Sequence, residues 1–192
     1  MKIKTVGWAV RILAILGLAI GTGALAQSPQ RATFQGTIND YTPASPPVSG
    51  PWEVRGPWSL VVKSPWKADF SAALTMERSD QGVIQNGDNF DFPANRSAHT
   101  HHITMVNGAV TRTATGFQVV GPATITKDGV FPPPFGPTLP ILTITISGST
   151  VKYGVLFSNI TVLFGAPADG HFGTNPLHGV IRSVDKDDLF GR

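Results

Sequence analysis

A two-residue rhythm of apolar side chains constrains this chain more than any other feature. Trp52, Val54, Gly56, Trp58, Leu60 and Val62 share one parity; Glu53, Arg55, Pro57, Ser59 and Lys63 share the other, with Val61 the exception. Successive side chains of a strand point to opposite faces, so the pattern describes a sheet with one buried and one solvated side. Phe70, Ala72, Leu74 and Met76 repeat it against Asp69, Ser71, Ala73, Thr75 and Glu77. Ser64-Pro65 between the two runs is a turn signal, which predicts an antiparallel pair. Pro57 has no N–H for a ladder and marks a bend, a bulge or an edge.

The same reading extends along the chain. Thr33–Ile38 predicts a short strand, and His99–Val106 a longer one that ends at Asn107-Gly108, the preferred type I′ hairpin sequence. Ala109–Thr113 then pairs back. Phe117–Thr126 alternates again, with Phe117, Val119, Ala123 and Ile125 on one side, and Lys127-Asp128-Gly129 forms a turn. Phe131–Pro137 reads as a rigid loop, and Ile141–Ser147 as a β-branched strand. Val151–Phe157 and Ile160–Phe164 are apolar runs whose parity changes at Ser158-Asn159, which places a bulge or tight turn there. Leu177–Val184 is the last strand. Ser79–Asn95 and Gly165–Pro176 read as loops. No stretch beyond the first segment carries a helical period. Gly 21, Pro 16 and only 14% charged residues suit a turn-rich β protein. The expected fold is all-β: a single antiparallel β-barrel, lipocalin-like or cyclase-barrel-like, with a β-sandwich or jelly roll as the alternative.

The start of the chain reads differently. Lys2, Lys4 and Arg11 precede the apolar run Ile12–Ile20, and small residues lead to Ala24-Leu25-Ala26. A basic start, a short apolar run and an A-x-A exit are the parts of a secretory signal peptide. The run is shorter than the roughly 20 residues a membrane helix requires. The organisation expected is a signal peptide over residues 1–26, a Pro/Ser-rich segment with one short strand over 27–50, a β domain over 51–184 and a charged tail over 185–192. The product is exported, periplasmic or extracellular in a bacterium, with no transmembrane span after cleavage. The absence of cysteine suits a domain long enough to bury a core without disulfides.

The three basic residues of the leader belong to a total of 15, and without them basic and acidic groups balance at 12 each. No Lys/Arg cluster remains to neutralise a phosphate backbone, so nucleic acid is not an expected partner. There is no phosphate-cradling Gly-Lys-Ser/Thr loop, no G-x-S-x-G elbow and no thiol nucleophile.

Two groups of residues can carry chemistry. All five histidines fall in two places: His99, His101 and His102, then His171 and His178. On a strand His99 and His101 share a face and can reach one ion, while His102 points away. His171 or His178 would supply a third ligand, with Asp169 or Glu77 as a possible carboxylate. Imidazoles without thiolates suit Zn, Cu or Fe. The plainer alternative is that these rings satisfy backbone groups at a sheet rim. The second group is aromatic. Trp52, Trp58, Trp66 and Tyr153, with Phe70 and Phe117, can line a ligand pocket in a barrel or can simply pack its core. Glu53 and Glu77, the only glutamates, are an acid–base pair if they face inward and surface charges if they face out.

The function expected is binding of a small molecule or an envelope component. The alternatives are a metal-dependent enzyme of a cupin-like or cyclase-like kind using the histidines, and a structural surface protein.

Overall fold

The computed structural model describes residues 31–42, 52–78, 99–128, 134–152 and 154–185. The expected signal peptide, the 79–95 loop, Phe131 to Pro133, Tyr153 and the tail beyond Asp185 lie outside these residues. Eight strands form the protein: β1 (Ala32–Thr42), β2 (Trp52–Ser64), β3 (Lys67–Arg78), β4 (His99–Thr113), β5 (Gly116–Lys127), β6 (Ile141–Val151), β7 (Gly154–Phe164) and β8 (Leu177–Asp185). Each pairs antiparallel with its neighbours in sequence, and β1 pairs with both β2 and β8, so the sheet closes into a barrel. Closure leaves no edge strand with unpaired N–H and C=O groups. The sandwich alternative has no place in this topology. Among the described residues no helix is long and apolar enough to cross a membrane.

Alternation decides what fills the barrel. Phe34 and Ile38 of β1, Val54, Trp58, Leu60 and Val62 of β2, and Phe70, Leu74 and Met76 of β3 are all buried. Val119, Ala123 and Ile125 of β5 and Leu142, Ile144 and Ile146 of β6 meet them from across the barrel. Phe34, Phe117 and Phe157 form a trio with ring centroids 5.3–5.9 Å apart. An eight-strand barrel is just wide enough for side chains to fill it, and these side chains do. Pro57 lies within β2 rather than at its end. It faces Thr37 of β1, and the β2–β3 ladder skips Gly56 and Pro57, as the missing N–H requires.

The structure corrects the hairpin expected at Asn107-Gly108. β4 runs straight through it to Thr113, and the reversal comes at Ala114-Thr115. Asn107 takes the left-handed conformation a type I′ turn also needs, φ 57°, but uses it for a bulge. The register with β5 shifts between Met105 and Ala109, and with β3 between Ala68 and Phe70. The bulge is held from β2 and β3. Asn107 N–H donates to Asp69 Oδ1 at 2.8 Å, Lys63 Nζ donates to Asn107 Oδ1 at 2.6 Å, and Lys67 Nζ donates to the Asn107 carbonyl. Gly108 faces inward, where a Cβ would stand 2.7 Å from Val119 Cγ1 and 2.9 Å from Met105 Sδ. The bulge flips inward parity from odd (His99, His101, Ile103, Met105) to even (Gly108, Val110).

The parity change at Ser158-Asn159 is likewise a bulge, opposite Ser147 and Gly148 of β6. β1 extends well past the short strand expected at Thr33–Ile38. The run Val151–Phe157 divides between the end of β6 and the start of β7. One helical turn, α1 (Asp169–Phe172), interrupts the loop before β8.

The two barrel ends differ. At one, short connections join β2 to β3, β4 to β5 and β6 to β7. The other, here called the mouth, carries the longer connections, including the one that holds α1.

A left-handed backbone costs an L-residue with a full side chain about 1–2 kcal/mol, and Asn or Gly much less. Asn107→Val should therefore lower the unfolding free energy by about 1–2 kcal/mol in urea titration, and Asn107→Gly by clearly less. Equal losses for both would show that the side-chain contacts, not the backbone conformation, hold the bulge.

Candidate metal centre

β4 enters the barrel at the mouth with its odd residues inward, so alternation alone turns His99 and His101 into the interior. His99 is 8% and His101 1% exposed, whereas His102 faces outward in solvent. Thr100 on the outer face ties this strand end to the end of β5: its N–H donates to Asp128 Oδ1 at 2.8 Å, and its carbonyl accepts from Asp128 N–H at 2.6 Å.

The third ring comes from far along the chain. Gly165 N–H donates to the Ile141 carbonyl, and Ala168 and Asp169 bond back to Gly165, which turns the chain over the mouth. Ala168 and Phe172 are fully buried. Phe172 stacks on Phe164 of β7, ring centroids 4.0 Å apart and planes within 13°. That stack pins α1 and delivers His171, one residue earlier, to the other two rings. His171 Nε2 stands 2.9 Å from His101 Nε2 and 3.3 Å from His99 Nε2, and all three ligand atoms lie within 4.8 Å of one another.

Three converging Nε2 atoms pose a proton problem. A neutral imidazole has one N–H and one lone pair. Without a cation, each close contact needs a proton on one of its two nitrogens. An ion satisfies all three lone pairs at once. Zn–N bonds of 2.0–2.1 Å set tetrahedral ligand nitrogens about 3.3 Å apart, close to the 3.3 and 2.9 Å that separate His171 from the other two rings. With Nε2 as ligand, Nδ1 carries the proton. His101 Nδ1 is buried without a well-formed hydrogen bond, although the Thr126 backbone is near enough to favour the charged ring slightly.

The electrostatics keep the rings ready for a metal. Burial, with the neighbouring His171 and His99, pushes the His101 pKa down to about 3. Burial, then His99 and Lys127, pushes His171 down to about 4. Both are neutral near pH 7, the state in which imidazole binds metal. Lys127 lies directly opposite His101 on β5 and at the rim of the mouth. Aromatic rings border the cluster: Trp52 meets His99 edge-on at 5.6 Å, Phe172 lies 5.1 Å from His101, and Phe135 lies 5.9 Å from His101 and 5.7 Å from His171.

The remaining candidates stand elsewhere. His178 is exposed and does not join the cluster. Its N–H and Nδ1 lie 2.7 and 2.8 Å from Asp40 Oδ2. Burial opposes ionisation of Asp40, but the bonds from His178 and Tyr41 hold its pKa below the usual range. Glu77 and Glu53 both face out and pair with Arg55, at 2.7 and 3.5 Å. Asp169 accepts from the Gly170 N–H. The tryptophans do not converge: Trp52 is at the mouth, Trp58 is buried and stacked on Phe70, and Trp66 is exposed at the opposite end. A surface concavity of about 640 Å³ runs past Ser59, Ser71 and His102, away from the histidine cluster. Phe135 and Phe172 are the site residues the sequence reading passed over. The only local signal is Phe172 beside His171.

No protein-family model, curated protein or solved structure matches the chain. The chemistry of the mouth is read from its own geometry.

A histidine whose folded pKa lies below its unfolded value of 6.5 binds more protons unfolded than folded. The stability it supports is present above that value and is lost as pH falls toward the folded pKa. Asp40 and Asp69 ionise below their ordinary 3.8 and act only at lower pH. Metal-free protein should therefore lose thermal stability steadily from about pH 6.5 to 4.5, and His171→Gln should flatten that slope. A wild-type melting temperature constant across this window would contradict the assignment.

Proposed function

We propose that this protein is an exported β-barrel that binds a transition metal ion, Zn, Cu or Fe, in its mouth through His99, His101 and His171. The observation that carries this reading is the meeting of three imidazole Nε2 atoms from β4 and α1, two of the rings buried. Imidazole suits all three metals. Three protein ligands leave a coordination position open for water or a further ligand. The binding role expected of this chain thereby falls to the mouth, since inward positions along the barrel are filled by the core.

A metal-dependent enzyme is the second reading, favoured by the open position, where a zinc-bound water loses its proton near neutral pH.

Loss of even an outer-shell partner of a ligand costs about 10–100-fold in metal affinity. Zinc titration of untagged, metal-stripped protein should give one site per chain. His171→Ala should weaken it by at least about a hundredfold, while His178→Ala leaves it intact. No zinc uptake by wild-type protein, or equal affinity after His171→Ala, would remove the proposal. For export, the intact mass of protein recovered outside the cytoplasm should match a chain beginning at Gln27. A mass that retains residues 1–26 would count against cleavage.

A further inference from the structure

We propose that the ion of the mouth is copper, held as Cu(I), and that Met76 Sδ is its fourth ligand. The inference rests on the metal-binding reading above and chooses among the three metals it allows.

Strand register places the sulfur. Met76 is the mouth-end member of the buried series Phe70, Ala72, Leu74 and Met76 on β3, and His99 is the first inward residue of β4. The β3–β4 ladder sets Met76 directly opposite His99 and Leu74 directly opposite His101. Opposed residues on one face of an antiparallel pair have Cβ atoms about 4.5–5.5 Å apart. Met76 and His99 are both buried on the inner face. Of the two ladder partners of Met76, Val54 on β2 offers only hydrocarbon, and His99 offers an imidazole. An unbranched side chain with three rotatable bonds can turn its sulfur toward the ion that His99 holds.

The donor chemistry selects the metal. Three imidazoles alone do not separate zinc, copper and iron. Zinc sites draw on thiolate, imidazole and carboxylate, and non-haem iron on imidazole and carboxylate, whereas a thioether is a soft donor that selects Cu(I). Three nitrogens and one sulfur complete a four-coordinate set, with Met76 in the position the histidines leave open. Met105 shows what a purely packing methionine looks like in this barrel. It lies deeper on β4, beyond Ile103, opposite Phe70 and Ala123. Its Sδ sits against Gly108 and Gly121, where an added Cβ would stand 2.9 Å away. The chain has no cysteine, so sulfur bound to the metal comes from a methionine.

The test uses the full chain, stripped of metal and loaded with equimolar Cu(I) in the absence of oxygen. X-ray absorption at the copper edge should show sulfur beside nitrogen in wild type and in Met105→Leu, and nitrogen alone in Met76→Leu. Competition with bicinchoninate should put the Cu(I) affinity of Met76→Leu at least about tenfold below wild type. Its zinc affinity should stay at the wild-type value, which also shows that this volume-conserving variant is folded. Cu(I) bound through nitrogen alone in wild type would overturn this inference and leave the metal reading standing, and that spectrum decides whether or not the variant folds. Equal losses of zinc and Cu(I) affinity in Met76→Leu, the mark of packing, would also overturn it alone. Uptake of neither metal by wild type would overturn both readings.

Discussion

The pairing of β1 with β8 is the interaction on which the rest depends. Strands of a meander pair with their sequence neighbours through short connections. Joining the first to the last spans nearly the whole chain and turns an open sheet into a barrel. The seam runs from Thr33 opposite Asp185 to Ile38 opposite Gly179, and the Asp40–His178 contact clips it at the mouth. Once it closes, every alternating strand has a defined inside. Phe34, Leu60, Phe70 and Ile144 then meet around one axis rather than across a flat layer. His178, expected as a possible metal ligand, serves this seam instead.

Closure also makes the histidine cluster possible, by two routes. His99 and His101 arrive by alternation: they are the first inward residues of β4, so they stand at the rim rather than deep in the core. His171 arrives by anchoring. Phe172 stacks on Phe164, Ala168 is buried under the turn, and the helical turn between them cannot rotate without exposing both. The site combines a rigid sheet floor with a single pinned turn above it. His101 and His171 are held neutral mainly by burial, and the cationic neighbour, Lys127, comes from the strand next to the one that supplies His99 and His101.

Much of this was legible in particular residues. The parity of Trp52–Val62 and Phe70–Met76 described β2 and β3, and the parity break at Ser158-Asn159 located a bulge, because both are properties of a strand alone. The Asn107-Gly108 hairpin misled for a physical reason. Its local requirement, a left-handed residue beside a glycine, is common to a two-residue turn and to a bulge. The choice between them is made by Lys63, Lys67 and Asp69 from neighbouring strands. Trp58 and Trp66 look equivalent in their repeated Pro-Trp setting, yet one is buried and the other exposed, since only β2 has an inside and the hairpin does not. The one-turn helix α1 was hidden because four residues are too few for a helical period.

The sequence by itself determined that strands would dominate, which side chains of each share a face, and that His99 and His101 would point the same way. Those are consequences of a backbone whose side chains alternate, and they need no partner. Tertiary structure decided that the sheet closes, that Asn107 bulges, and that His171 rather than His178 meets the pair on β4. Those outcomes depend on contacts between residues some 40 to 150 positions apart. No local propensity encodes such contacts, because they exist only after the core has packed.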